Sequence, residues 1–316
     1  MPVVLLGTLA VLLLVRAAWV VWSRPWRRSQ LQQLSVRAQL PLDTADGMPS
    51  ALAERVGRRL VRREVGSSVG GLLATLAVLL LVLADGGLDE AGGWVEGALT
   101  FAVVGLGLTA GTTAVVARDA LAPPSLPGVR RARSRAGGLE DYVPWLRLLT
   151  GRLLCAVSAG AGVLMAVLAT RSGEAVAGAG GLPVSNLVLG GCVAVAWVLT
   201  ELLARRVVAL PQPAGRPLEL AWDDVLRARH LRELAFFPCY LACLNLLYLP
   251  GEVAGVLGLS QGDHFVVVVV VLLVALAGLM LPGRGQPVER YARYRLWPVT
   301  LSADRPGEVE DPALAP

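Results

Sequence analysis

Long apolar runs separated by arginine-bearing connectors dominate this chain, and they constrain its fold more tightly than any motif. An α-helix rises about 1.5 Å per residue and the hydrocarbon core of a bilayer is about 30 Å thick, so about 20 apolar residues cross it. Seven segments meet or approach that length: Val3–Trp22, Ser67–Ala84, Leu99–Ala117, Leu149–Thr170, Asn186–Ala204, Leu234–Leu249 and Phe265–Leu281. Valine-rich runs such as Val266 to Val271 favour strands in water. In lipid a lone strand leaves its backbone polar groups unpaired, so the helix wins. The sixth segment is the weakest, being short and carrying Pro238, Asn245 and Tyr248. Charged residues make up 17% of the 316, against about a quarter in soluble domains. The expected fold is an all-α polytopic integral membrane bundle of seven transmembrane helices.

Arginine placement sets the expected orientation, because short loops rich in basic residues are retained in the cytoplasm. Residues 1–15 carry no charged side chain, whereas Arg16, Arg24, Arg27, Arg28, Arg37 and the block Arg55, Arg58, Arg59, Arg62, Arg63 follow. The N-terminus is therefore expected outside. Asp85–Gly97, Arg171–Ser185 and Gly251–His264 are poor in arginine and read as outer loops. Arg118–Arg147, Arg205–Glu233 and the segment from Pro282 read as inner, which puts the C-terminus in. Positive charge follows the first apolar core instead of preceding it, and Trp19, Trp22 and Trp26 close it. That is the pattern of an uncleaved anchor with its indoles at the inner interface. The net charge of +5 is the bias of the inner loops, not a nucleic-acid footprint. The expected location is the plasma (inner) membrane.

The organisation follows. Residues 1–23 form the N-terminal anchor, and 24–65 a basic, amphipathic cytoplasmic segment. Residues 66–281 form six helices in three hairpins (66–117, 148–204 and 234–281), and 282–316 a proline-rich cytoplasmic tail, disordered after Ser302. Within the second part, Ser50–Glu64 reads as a helix with Leu52, Val56 and Leu60 on one side and Glu54, Arg55, Arg58 and Arg62 on the other. Such a helix suits an anionic leaflet or a partner protein. Leu218–Glu233 reads as two turns of surface helix leading into the sixth segment. Ala122–Arg135, with Pro123, Pro124 and Pro127 before Arg130, Arg131, Arg133 and Arg135, reads as a basic loop suited to lipid headgroups.

Chemistry is sparse. All 29 basic residues are arginine. Without lysine there is no P-loop lysine for ATP and no Schiff base for retinal or pyridoxal. The two histidines, His230 and His264, fall on opposite sides of the expected topology, so no metal or haem cofactor is expected. Cys155, Cys192, Cys239 and Cys243 lie in apolar segments and read as packing residues. Ser158 and Thr150 lack a histidine at matching depth. Charges inside spans are the best functional pointers in a membrane protein. They are Arg16, Arg152 and Glu201, the last two expected as neighbours in an ion pair. Gly66, Gly70, Gly107, Gly111, Gly160, Gly162, Gly190 and Gly191 are candidate close-packing sites between helices. Asn245 is expected to hydrogen-bond across helices.

No family resemblance emerges. Arginine without lysine suits a GC-rich bacterial coding bias. The expected function is that of a non-enzymatic multi-pass protein, a membrane subunit of a transport system. Its basic inner face would engage anionic lipid or a protein such as a separate ATPase. The alternatives are a stand-alone transporter or channel, and an enzyme acting on a lipid-linked substrate.

Overall fold

The structure is a computed structural model that describes residues 2–40, 50–84, 93–121, 138–171, 182–210, 217–257 and 287–297. Among them are nine helices: α1 (Pro2–Trp22), α2 (Arg24–Ala38), α3 (Ser50–Ala84), α4 (Gly93–Leu121), α5 (Leu139–Tyr142), α6 (Trp145–Arg171), α7 (Leu182–Ala209), α8 (Pro217–Leu257) and α9 (Val288–Leu296). Three stretches are long and apolar enough to cross a membrane: Ala53–Ala84, Trp145–Val167 and Leu187–Ala209. A fourth is added if Leu6–Trp22 and the following Arg24–Ala38 count as one broken span. Among the described residues the fold is thus all-helical, with several apolar spans, suited to a multi-pass place in a membrane. The seventh predicted segment, Phe265–Leu281, lies outside the described residues.

The first break has a local cause. Ser23 leaves the helical region, and its hydroxyl accepts the Trp26 backbone N–H at 3.2 Å, with Pro25 in the first turn that follows. A side-chain cap and an early proline start a new helix, and α2 sets off at 81° to α1. It stops at Gln39, whose positive φ of 51° lets the Gln39 and Leu40 N–H groups both turn back to the Ser35 carbonyl.

α3 corrects the reading of Ser50–Glu64 as a helix separate from the span after it. The two are one helix of 35 residues. Its polar half is not laid apolar-side down on a leaflet either. Val56 and Leu60 are buried in a cluster with Leu34 and Ala38 of α2, Leu40, and Ala221, Trp222, Val225 and Leu226 of α8. An apolar stripe satisfied by protein has none left for lipid. The lower half of α3 packs on α4 through glycine. A Cβ on Gly70 would come within 2.8 Å of the Gly111 Cα, and it would also overlap the Gly107 carbonyl oxygen. Gly66 likewise faces Gly111 and Val115. Only hydrogen at these positions lets the two backbones touch.

Leu218–Glu233 is corrected in one respect. It runs on into the next segment as the start of the 41-residue α8, but it is not a surface helix, since Ala221, Trp222, Asp224, Val225, Ala228 and Leu231 are essentially fully buried.

By internal contacts the described helices group into two units. The first takes Met1–Tyr142, Arg206–Glu233 and Pro287–Pro316; the second takes Val143–Arg205 and Leu234–Gln286.

Candidate functional site

The first unit holds a dense set of charges on α3, α5, α8 and α9. Asp223 receives Arg59 Nη1 from α3 at 2.8 Å and Arg227 Nε from its own helix at 3.2 Å. Arg227 also donates to the carbonyls of Val208 and Leu210, at 3.4 and 2.7 Å, which ties the end of α7 to the start of α8. One helical turn below Arg229, Glu233 meets Arg63 Nη2 at 2.5 Å and Arg229 Nε at 3.5 Å. Arg232 reaches the fully buried Glu289 of α9 at 3.8 Å. Asp224 accepts the Tyr142 hydroxyl at 3.1 Å and the Trp297 indole N–H at 2.8 Å. Arg295 joins α9 to Asp141 at 3.3 Å.

Burial sets the electrostatics. For Asp223 burial raises the carboxyl pKa, but Arg59 and Arg227 together outweigh it and hold the group below the usual carboxylate range. For Glu233 burial wins over Arg63, Arg229 and Arg232, and the pKa is raised. His230 lies between them. Burial first, then Arg59, Arg63 and Arg229, push its imidazole down to about 3 against the pull of Asp223, so it is neutral at physiological pH. The Arg229 guanidinium is lowered by burial and by Arg63. A buried ion pair gives back little net stability after desolvation, yet removing one partner is costly. Asp223 and Asp224 are held by guanidinium, hydroxyl and indole donors, and Glu233 and Glu289 by ion pairs with guanidinium groups. The arrangement joins segments far apart in sequence.

The predicted site residues separate into three groups. In the second unit, Arg152 Nη2 donates to Glu201 Oε1 at 2.6 Å, joining the start of α6 to the end of α7. Arg205 adds a second guanidinium to Glu201 at 3.6 Å. In the first unit, Arg58 and Arg62 are exposed on α3, paired with Glu54 at 3.1 Å and with Asp119 at 3.4 Å, while Arg55 is half-buried. Arg130, Arg131, Arg133 and Arg135 lie outside the described residues. Among the glycines, Gly66, Gly70, Gly107 and Gly111 form the α3–α4 contact, and a Cβ on Gly190 would stand 3.3 Å from the Gly162 Cα. Around Gly160 and Gly191 a Cβ meets nothing within 4 Å among the described residues. A glycine on a helix is marked for packing only when its face is turned toward a neighbour.

In three relationships it is the partner that escapes a reading of one sequence. Arg16 is matched by Glu64 at 2.5 Å, across 48 positions. Asn245 donates to both the backbone oxygen and the hydroxyl of the buried Ser158, at 3.0 Å each. Asp224, Tyr142 and Trp297 meet from three separate segments.

Among the described residues no group of three or more histidine, cysteine or acidic side chains is placed to hold a metal ion. No known protein family, no curated protein and no solved structure matches the chain.

Proposed function

We propose that the chain is a non-enzymatic multi-pass protein of the plasma (inner) membrane, the membrane subunit of a transport system. Its polar helical face lies in the cytoplasm and docks a separate protein such as an ATPase. The observation that carries this reading is the continuity of α3. One rigid helix bears Arg59 and Arg63, fixed to Asp223 and Glu233, at one end, and the Gly66/Gly70 contact with α4 within the apolar part. A push on the polar end is transmitted along the rod to the spans, as a membrane subunit driven from outside the bilayer requires. Arg58 and Arg62, exposed on the same helix, supply a charged contact for an acidic partner face. The absence of lysine leaves ATP hydrolysis to another chain.

Seven crossings are the number that the apolar segments of the sequence give, with Phe265–Leu281 the last of them. Between Glu233 and Leu257 the chain runs through 24 residues of helix, about 36 Å. With one anchor and three hairpins, the arginine-rich ends are retained inside.

Crosslinking in native membranes followed by purification in mild detergent tests the reading. A nucleotide-binding chain should be captured, and Arg58→Glu/Arg62→Glu should lose it. A monodisperse lone protein that moves solute in liposomes would overturn the subunit role in favour of a stand-alone transporter.

A further inference from the structure

The elbow between α1 and α2 combines three features that belong together only at a bilayer surface. The first is a lipid-type stripe. Val11, Leu12, Val15, Trp19 and Trp22 are all more than half exposed. Their spacing of three and four residues puts them on one face of α1, opposite the buried Leu6, Ala10, Leu13 and Val20. That outward stripe is aliphatic for most of its length and ends in two indoles one turn apart. Indoles concentrate where hydrocarbon gives way to headgroups.

The second feature is the turn itself. The 81° change of direction comes directly after Trp22. α1 is 21 residues long, about 31 Å, which matches the hydrocarbon thickness. A helix that leaves a span at nearly a right angle, at its end, runs along the membrane plane. The third feature is charge. Arg24 and Arg28, one turn apart at the start of α2, are exposed. The inner side of α2 is taken by protein, since Leu34, Ser35 and Ala38 are buried. Its exposed side carries Pro25, Ser29, Gln32, Gln33, Val36 and Arg37, a mostly polar set that suits the headgroup layer better than hydrocarbon.

We propose that this elbow, with Trp19 and Trp22 at the boundary and Arg24 and Arg28 beyond it, binds the headgroups of anionic phospholipids and holds α2 in the plane of the leaflet. Guanidinium presents a planar fork of donors to phosphate oxygens. The indole N–H groups and ring faces anchor the glycerol level below. The membrane contact of the basic segment then belongs to α2, and not to the Ser50–Glu64 stretch whose apolar stripe is already covered.

The inference rests on the reading that the apolar helices lie in a bilayer, and its test separates the two. Full-length protein is reconstituted in vesicles of phosphatidylcholine with and without phosphatidylglycerol. Lipid retained through delipidation is then measured by native mass spectrometry. Wild type should keep phosphatidylglycerol in preference to phosphatidylcholine. Arg24→Gln/Arg28→Gln should lose that preference by roughly 30-fold, about fivefold for each guanidinium. Spin labels at Val15→Cys and Ser29→Cys, with the four native cysteines replaced, report depth by oxygen and nickel-chelate access. Val15 should sit in hydrocarbon and Ser29 at the headgroup level. A Ser29 label in bulk water with Val15 in hydrocarbon, or an undiminished preference in a folded double variant, would overturn the elbow alone. A Val15 label in water would overturn the membrane reading with it.

Discussion

The indole of Trp297 lies 2.8 Å from the Asp224 carboxylate, 73 positions away, and donates its N–H to Oδ2. Tyr142 supplies a second donor to Oδ1 at 3.1 Å. Asp224 is completely buried, so each donor it loses is a carboxylate contact that water does not replace.

Trp297→Phe keeps an aromatic ring and removes the N–H. A hydrogen bond to a charged group contributes about 1.5–3 kcal/mol, and a loss of that size is expected. It should appear as a lower unfolding midpoint in detergent and as earlier proteolysis at α9. An unchanged midpoint would mean that the contact is incidental.

The glycines divide sharply. Gly70→Ala or Gly111→Ala drives a Cβ into the facing backbone and should cost about 1–3 kcal/mol through forced separation of α3 and α4. Gly160→Ala and Gly191→Ala meet open space among the described residues and remove backbone freedom from the unfolded chain. They should be neutral or stabilising by up to about 1 kcal/mol. Thermal unfolding of the four single variants side by side checks the ordering.

Asn245 and Ser158 should be energetically coupled. Asn245 Nδ2 donates to Ser158 twice, and side-chain hydrogen bonds between membrane helices are worth about 0.6 kcal/mol on average and up to about 1.7. A double-mutant cycle with Asn245→Ala and Ser158→Ala should return a coupling in that range. Because the Ser158 backbone oxygen survives both substitutions, the cycle reports the hydroxyl alone. Strict additivity would contradict the contact.

His230 makes stability depend on pH. Its folded-state pKa is pushed down to about 3 by burial and by Arg59, Arg63 and Arg229, against an ordinary value of 6.5. Between those values the unfolded chain takes up a proton that the folded chain refuses, so stability falls as pH drops through that window. His230→Gln carries no such proton. Unfolding midpoints from about pH 7.5 to about pH 5 should decline for both proteins, and less steeply for the variant. Equal slopes would show that the imidazole is reachable by water and free to charge.

Much of the helical framework is legible in the sequence because hydrocarbon tolerates so few alternatives. An apolar run of the right length has to be a helix, and Arg152 and Glu201, each alone near the end of a span, have good reason to find each other. The polar half of the molecule is harder to read. The stripe of Val56 and Leu60 looks the same whether it faces lipid or the side of Trp222, since periodicity records that a face is covered and not by what. Asp223, Asp224 and Glu233 resemble the solvated side of a surface helix. They are buried because Arg59, Tyr142, Trp297 and Arg63, up to 170 positions away for Arg63 and Glu233 (233 less 63), come to meet them. Partners that distant leave no mark in local spacing.

The account depends above all on the arginine-rich helices sharing one side of a bilayer that the apolar helices cross. Single cysteines at Arg58, Gly138 and Arg295, and in the predicted outer loops at Gly87 and Gly178, can be probed in intact cells with a membrane-impermeant maleimide. The account predicts that Gly87→Cys and Gly178→Cys label at once, and that the other three label only after the membrane is opened. Labelling of Arg58→Cys or Arg295→Cys from outside intact cells would contradict it.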